Sequence, residues 1–275
     1  ETMIALSDHL LETCDSGSTG DLERMLRGIP FDEQRADFAA FVLLPRGRLA
    51  GERQSIALET LSFDSTKERL MSAVYDSLDE VPVPMVLEHI ELLDFDSGRS
   101  SVAKAASSRI GPMTGAEMLA MLESFDFDSG KVQAVDAMRT KVALADFGDV
   151  LKIMDASDFE SGANQILDLL LDSALPASAF PTLTAFDLGA ACDAYSFDSG
   201  RIETLRKLEP RFQGTLDGES ARELLNRFSF DSGKLECLQI FANRMSALPY
   251  EEQKTVLAAF SFDSDRERAR DLLNR

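Results

Sequence analysis

The segment Phe-Asp-Ser returns along the chain with its Phe at positions 63, 95, 127, 159, 197, 230 and 262, with Glu160 in place of Asp in the copy at 159 and a degenerate copy opening at Phe31. Successive separations from Phe31 are 32, 32, 32, 32, 38, 33 and 32 residues. Self-similarity at a fixed period of this length marks a repeat array, in which each unit buries its apolar face only against its neighbours. The 275-residue length therefore does not count domains, because an array grows without a central core.

With each Phe as position 0, position +1 is acidic in every copy: Asp32, Asp64, Asp96, Asp128, Glu160, Asp198, Asp231 and Asp263. Position +2 is Ser except for Glu33, and position +4 is basic (Arg35, Lys67, Arg99, Lys131, Arg201, Lys234, Arg266) except for Ala163. Position +11 is apolar (Val42, Val74, Ala106, Met138, Leu170, Leu208, Phe241), and +8 is mostly so (Met71, Val135, Leu167, Leu205, Leu238). That three-residue step is one face of a helix, here helix A. Counting back from the next Phe, Leu93, Ile90 and Val86, or Phe125, Leu122 and Met118, fall in steps of three and four and predict a helix B.

The Phe-Asp-Ser turn thus joins helix B to the next helix A. Its acidic residue and Ser predict caps for the N–H groups of the first turn. Ser65 with Glu68, Ser264 with Glu267 and Thr114 with Glu117 have capping-box spacing. A cation at +4 lies near a helix N-terminus, which the macrodipole disfavours, so it needs a partner. The expected partner is the +1 carboxylate, in a ladder of ion pairs within or between repeats. No sustained period-two alternation signals a strand.

The run Phe-Ser-Phe-Asp-Ser-Gly-Lys at 228–234, approximated at Ser62–Lys67 and Ser196–Arg201, resembles an uncharacterised domain-of-unknown-function family of short helical repeats. The resemblance covers nearly the whole chain and implies the repeat fold. It implies no activity and no catalytic residues. The first repeats depart most, with Pro30-Phe31-Asp32-Glu33 in place of the motif.

The expected architecture is an all-α, right-handed α-solenoid of about eight two-helix repeats of roughly 32 residues, forming a single domain over 1–275. The repeats run 1–30, 31–62, 63–94, 95–126, 127–158, 159–196, 197–229 and 230–261, with 262–275 a terminal half-repeat. Backward extrapolation makes residues 2–13 a helix A, whose Met3, Ile4, Leu6, Leu10 and Leu11 form an apolar set suited to further repeats or a subunit. Arg266, Arg268, Arg270, Asp271 and Arg275 supply polarity at the other end. The long copy carries six extra residues around Ala174–Pro181 and lacks the +4 cation. Insertions in such arrays often lie on the binding face, which makes Phe180 the candidate binding residue.

Lys and Arg total 28 against 48 Asp and Glu, a net charge of −20 that disfavours nucleic acid and anionic membranes. The longest apolar run, Phe38 to Leu44, stops at Pro45, short of a membrane span. Cys14, Cys192 and Cys237 are few, distant and odd in number, and read as small core residues. His9 and His89 have no metal-site spacing, and His89 reads as a helix-face residue. Gly17-Ser-Thr-Gly20 reads as an inter-helix turn, and Arg46, Arg48 and Arg53 form one local basic cluster.

Asp94-Phe-Asp96-Ser-Gly98 and Asp126-Phe-Asp128-Ser-Gly130 are similar to the opening of a calcium loop, but Gly is fifth rather than sixth, and Ala105 and Ala137 stand where a bidentate Glu is needed. No phosphate loop, dinucleotide turn or nucleophile elbow occurs. The composition and repeats point to a non-enzymatic interaction or structural scaffold that takes a protein or peptide, basic in character, on an acidic surface, with no cofactor. The alternative is a divalent-cation-responsive module using the acidic turns.

Overall fold

A computed structural model of the chain describes residues 18–172, 180–245 and 248–274. The predicted first helix A, with His9 and Cys14, and most of the insertion lie outside the described residues. Sixteen α-helices fill the rest, with strand confined to Met113–Thr114 and Val142–Ala143. The fold is all-α, as the periodicity predicts.

Helices alternate between the two predicted types. The B helices are α1 (Thr19–Arg27), α3 (Glu52–Glu59), α5 (Val83–Glu91), α7 (Gly115–Glu123), α9 (Phe147–Asp155), α11 (Ala185–Asp193), α13 (Gly218–Leu225) and α15 (Tyr250–Leu257). The A helices are α2 (Asp32–Phe38), α4 (Asp64–Ser77), α6 (Asp96–Ala106), α8 (Asp128–Met138), α10 (Glu160–Leu170), α12 (Asp198–Leu208), α14 (Asp231–Phe241) and α16 (Asp263–Leu273). Each A helix begins on the acidic residue of its motif, so the repeat phase read from sequence is the phase of the fold.

Two compact units are formed, one from 1–113 with 120–142 and the other from 114–119 with 143–275. In the first, α2, α4, α6 and α8 pack in succession, each on the next, and α1 packs on α3. In the second, α12, α14 and α16 do the same, and α13 packs on α15. Like helices stack on like because the +8 and +11 side chains all point one way: Met71, Val74, Val135, Met138, Leu205, Leu208, Leu238 and Phe241 are buried. So are Val86, Ile90, Leu93, Met118, Leu122 and Phe125 of the B pattern.

Local chemistry departs from the sequence reading in three places. Phe, not Asp or Ser, holds the N-cap position of each A helix, and no side-chain cap forms there. The predicted capping boxes of Ser65 and Ser264 are therefore absent, since each Ser lies inside the first turn. Thr114 and Glu117 do form theirs: the Thr114 N–H donates to Glu117 Oε2 at 2.7 Å, and the Glu117 N–H to Thr114 Oγ1 at 3.2 Å. Ser18 to Gly20 is a helix start rather than a turn, with the Ser18 N–H donating to Asp21 Oδ2 at 2.9 Å.

A second tie between repeats runs through backbone. The N–H of Val81 donates to Arg109 O at 3.0 Å, that of Met113 to Lys141 O at 2.9 Å and that of Leu216 to Arg244 O at 3.1 Å. Each joins the connection after one A helix to the connection after the next. Backbone groups that would otherwise be unsatisfied in a packed loop are paired in this way.

Gly at +3 is set by close approach. A Cβ on Gly130 would stand 2.6 Å from Phe125 Cδ1 and 2.8 Å from Asp96 Oδ2, whereas one on Gly98, where Leu93 replaces the aromatic ring, would come no nearer than 3.1 Å to Glu68 Oε1. Helix propensity favours Ala over Gly by about 1 kcal/mol, and overpacking costs about 1–3 kcal/mol. Gly130→Ala is expected to lower the urea midpoint, while Gly98→Ala leaves it unchanged or raises it. Equal shifts at both positions would show that propensity, not the ring, governs the site.

Candidate interaction surface

In six of the eight motifs the acidic residue holds the turn of the following repeat rather than capping its own helix start. Asp64 accepts from the N–H of Asp94 at 3.0 Å and of Phe95 at 2.9 Å, so the carboxylate of one repeat holds the turn of the next. Asp32 does this for Ser62 and Phe63, Asp96 for Asp126 and Phe127, Asp198 for Ser229 and Phe230, and Asp231 for Ser261 and Phe262. Glu160 reaches the N–H of Ser196 across the longer copy at 2.7 Å. The Phe N–H so satisfied is one that a helix start leaves open, and the N–H before it belongs to the turn.

The +4 cation completes the joint. It pairs with the +1 carboxylate of its own helix, as in Arg35–Asp32 (3.2 Å), Arg99–Asp96 (3.0 Å), Arg201–Asp198 (3.2 Å) and Lys234–Asp231 (3.2 Å). Cations at this position also donate to carbonyls at or just past the ends of B helices: Arg99 Nε to Leu93 O at 3.1 Å, Lys234 Nζ to Ala259 O at 2.7 Å, and Lys67 Nζ to Leu92 O at 2.7 Å. Those carbonyls are the negative ends of helix dipoles, which resolves the cation's poor position in its own helix. Asp231 and Lys234 are both buried. Burial pushes the Asp231 carboxyl up, but the N–H groups of Phe262 and Ser261 and the Lys234 ammonium outweigh it and hold the group below its ordinary value.

This joint decides where the motif Phe points. Its backbone is extended in every copy, with φ −120° and ψ 142° at Phe95 and φ −120° and ψ 146° at Phe230. The N–H groups of Phe63, Phe95, Phe127, Phe230 and Phe262 are tied inward to the preceding carboxylate, and two residues before each of these rings Leu61, Leu93, Phe125, Phe228 and Phe260 are buried. The ring is left outside: all eight motif rings, Phe31, Phe63, Phe95, Phe127, Phe159, Phe197, Phe230 and Phe262, are 64% to 71% exposed. A Phe left in water forgoes about 1.5–3 kcal/mol of burial. Scattered exposed apolar residues need no explanation, but one at the same position of every repeat forms an array.

Shallow grooves lie beside these rings, between successive A helices. In the first unit, one of about 410 Å³ is lined by Phe31, Asp32, Gln34, Phe63, Ser65 and Thr66. In the second, one of about 450 Å³ between α12 and α14 is lined by Asp198, Ile202, Glu203, Arg206, Phe230 and Glu236, with Arg206 paired to Glu236 at 3.0 Å. The repeated residues that sequence reasoning assigned to the fold alone therefore also shape a surface.

Phe180, the binding candidate from sequence, is buried in the second unit, edge to face with Phe147 at 6.1 Å between centroids and under the Arg211 guanidinium at 5.9 Å. It contributes no ring to the exposed array. The basic cluster turns on itself, Arg46 donating to Val42 O at 2.9 Å and Arg53 to Arg48 O at 3.0 Å.

Strongly shifted titratable groups are buried away from this surface. His89 sits in the first unit between Tyr75 Oη, 2.7 Å from Nδ1, and Gln54 Nε2, 2.9 Å from Nε2, and desolvation pushes it down to about 4. The helix-face histidine of the sequence reading is thus a core residue. The Gln54 amide nitrogen donates to Nε2, so the neutral ring carries its proton on Nδ1 and donates to Tyr75. Cys192 and Cys237 are buried, as their apolar phase predicts, and burial pushes the Cys192 thiol up to about 12 and Cys237 well above its ordinary value. Six of the motif carboxylates that a cation-responsive module would use, Asp32, Asp64, Asp96, Glu160, Asp198 and Asp231, are engaged by backbone N–H groups. No cluster of three or more His, Cys, Asp or Glu placed to hold a metal occurs among the described residues.

Comparison with known proteins gives a family and little else. The family described as a domain of unknown function, DUF4476, matches residues 78–170 and 187–273. No curated protein matches. A solved chain from work titled "Computational Design of Self-Assembling Cyclic Protein Homooligomers" is 10% identical over 98% of this chain and 87% of that one, at a TM-score of 0.12, and carries no argument.

Proposed function

The chain belongs to the DUF4476 family, matched over more than half its length, and since membership brings no activity, we propose from its surface that it is a non-enzymatic protein-interaction scaffold. The observation that carries this reading is the array of exposed motif rings, four in each unit, which the joints between repeats hold outward. The bonds of the joint are made by the Phe backbone, the carboxylate and the +4 cation, as at Phe95, Asp64 and Arg99, and not by the ring. An exposed apolar array that costs burial energy is explained by a partner that covers it. Aromatic side chains supply large, rigid contact area of the kind that dominates protein interfaces.

The test is affinity capture at physiological salt, with the wild-type chain and F63S/F95S/F127S as paired baits. A partner held near stoichiometry by the first and lost from the second supports the reading. Because these rings are exposed, the variant is expected to keep the wild-type melting temperature and helical spectrum. Captures that do not differ between the two baits would overturn it.

A further inference from the structure

We propose that the partner of the Phe face is an extended cationic polypeptide segment with Lys or Arg at every third residue, one cation per repeat; this rests on the scaffold reading above. The first argument is charge. The chain carries −20, and the +4 cations Arg35, Arg99, Arg201 and Lys234 pair with +1 carboxylates and donate to carbonyls, while Arg206 in the groove at Phe230 pairs with Glu236. Carboxylates meanwhile stand beside the rings. Asp94 is exposed immediately before Phe95; Asp126, exposed before Phe127, is shared with Arg99 at 2.9 Å; and Asp198, Glu203 and Glu236 line the groove at Phe230, where they pair with Arg201, Lys207 and Arg206 respectively.

A ring face next to a carboxylate is a site for an ammonium or guanidinium, which is drawn to the ring quadrupole and to the anion together. The molecule makes this contact with its own cations elsewhere: Lys254 Nζ lies 4.6 Å from the Tyr250 ring centroid, and Arg69 Cζ lies 5.9 Å from that of Phe41. A second copy of the chain would bring another −20 to the same face, and nucleic acid is a polyanion; both are repelled.

The second argument is spacing. Successive A helices pack directly on one another, and packed helices lie about 8–10 Å apart. A polyproline II segment rises about 3.1 Å per residue with three residues per turn, so it returns a side chain to the same side about every 9.3 Å. One turn of such a segment matches one repeat. A β-strand returns its side chains every second residue, about 6.6–6.8 Å, and falls out of step within two repeats.

The experiment uses the full chain and two labelled peptides of identical composition, one of four Arg-Pro-Ala triplets and one with its four Arg contiguous, with binding read by fluorescence anisotropy. The triplet peptide is expected to bind at least about tenfold more tightly than its isomer, and each cation–π contact removed is worth about two- to fivefold. F63L/F95L/F127L keeps apolar volume and removes the ring faces, so it is expected to weaken triplet binding by about tenfold or more, as is raising salt from roughly 50 to 500 mM. Equal binding of the isomers, binding insensitive to the Leu variant, or no binding would each overturn the proposal. Concentration-dependent self-association that the Leu variant abolishes would assign the face to a second copy and overturn it too. Should lysate capture depend on Phe63, Phe95 and Phe127 while the triplet peptide fails, the cationic segment is wrong and the scaffold stands; should neither depend on the rings, both fall.

Discussion

Asp231→Ala is expected to cost about 3–5 kcal/mol of unfolding free energy. The carboxylate is buried and accepts from Ser261 N–H at 2.7 Å, Phe262 N–H at 3.0 Å and Lys234 Nζ at 3.2 Å. Its removal leaves two turn donors without a partner and a buried ammonium with only Ala259 O to receive it. Each buried donor left unsatisfied costs about 1–3 kcal/mol. Urea unfolding measures the loss, and a double-mutant cycle with Lys234→Met separates the ion pair from the turn. Coupling above about 1 kcal/mol is expected for groups in direct contact. Asp263→Ala is the internal control: its side chain is 93% exposed and it starts the last described helix, so little change is expected. Equal losses at the two positions would mean that the motif carboxylate acts on its own helix and not on the following repeat.

Acidification is expected to remove about 3 kcal/mol through His89 alone as the pH falls from 6.5 to 4. The sign follows from proton counts. The unfolded chain takes up a proton on this ring below its ordinary value of 6.5, and the folded chain only below about 4. Between those values the unfolded state binds more protons, so stability rises with pH across the window and is lost on the way down. Protonation would also set an Nε2–H donor against the Gln54 amide nitrogen. His89→Gln removes the titration. Its stability at neutral pH is expected to fall, because the Tyr75 partner is lost, but its pH profile between 6.5 and 4 is expected to be shallower, so that the two curves converge at the acid end. Parallel curves from urea unfolding at each pH would exclude His89 as the linked group.

The array was legible because a repeat broadcasts its period. Fixed spacing of Phe31 through Phe262 set the phase, and apolar steps such as Val74 and Met138, or Leu93 and Ile90, set the helices. Each has a local cause, so composition and periodicity sufficed. The capping reading failed for an equally physical reason. Asp and Ser beside a helix start satisfy its donors in most proteins, and nothing in one repeat reveals that the next repeat supplies donors of its own about 31 residues later. The tie from Val81 to Arg109 and from Met113 to Lys141 was invisible because it is made of backbone, which every residue possesses.

The exposed array was missed for a different reason. Phe is an apolar residue, and apolar residues recurring in register are usually core, so periodicity marks the motif ring as part of the fold and points to the insertion at Phe180 as the surface. The structure places Phe180 inside and the motif rings outside. What the sequence by itself determined is the period, the helix pairs and the buried face of each, since these follow from side-chain spacing along one helix. What only the tertiary structure decided is which backbone N–H groups each motif carboxylate holds, which carbonyls each +4 cation reaches beyond that carboxylate, and the side on which each motif ring lies. Both depend on where the neighbouring repeat puts its backbone, and a side chain's own sequence neighbours carry no record of that.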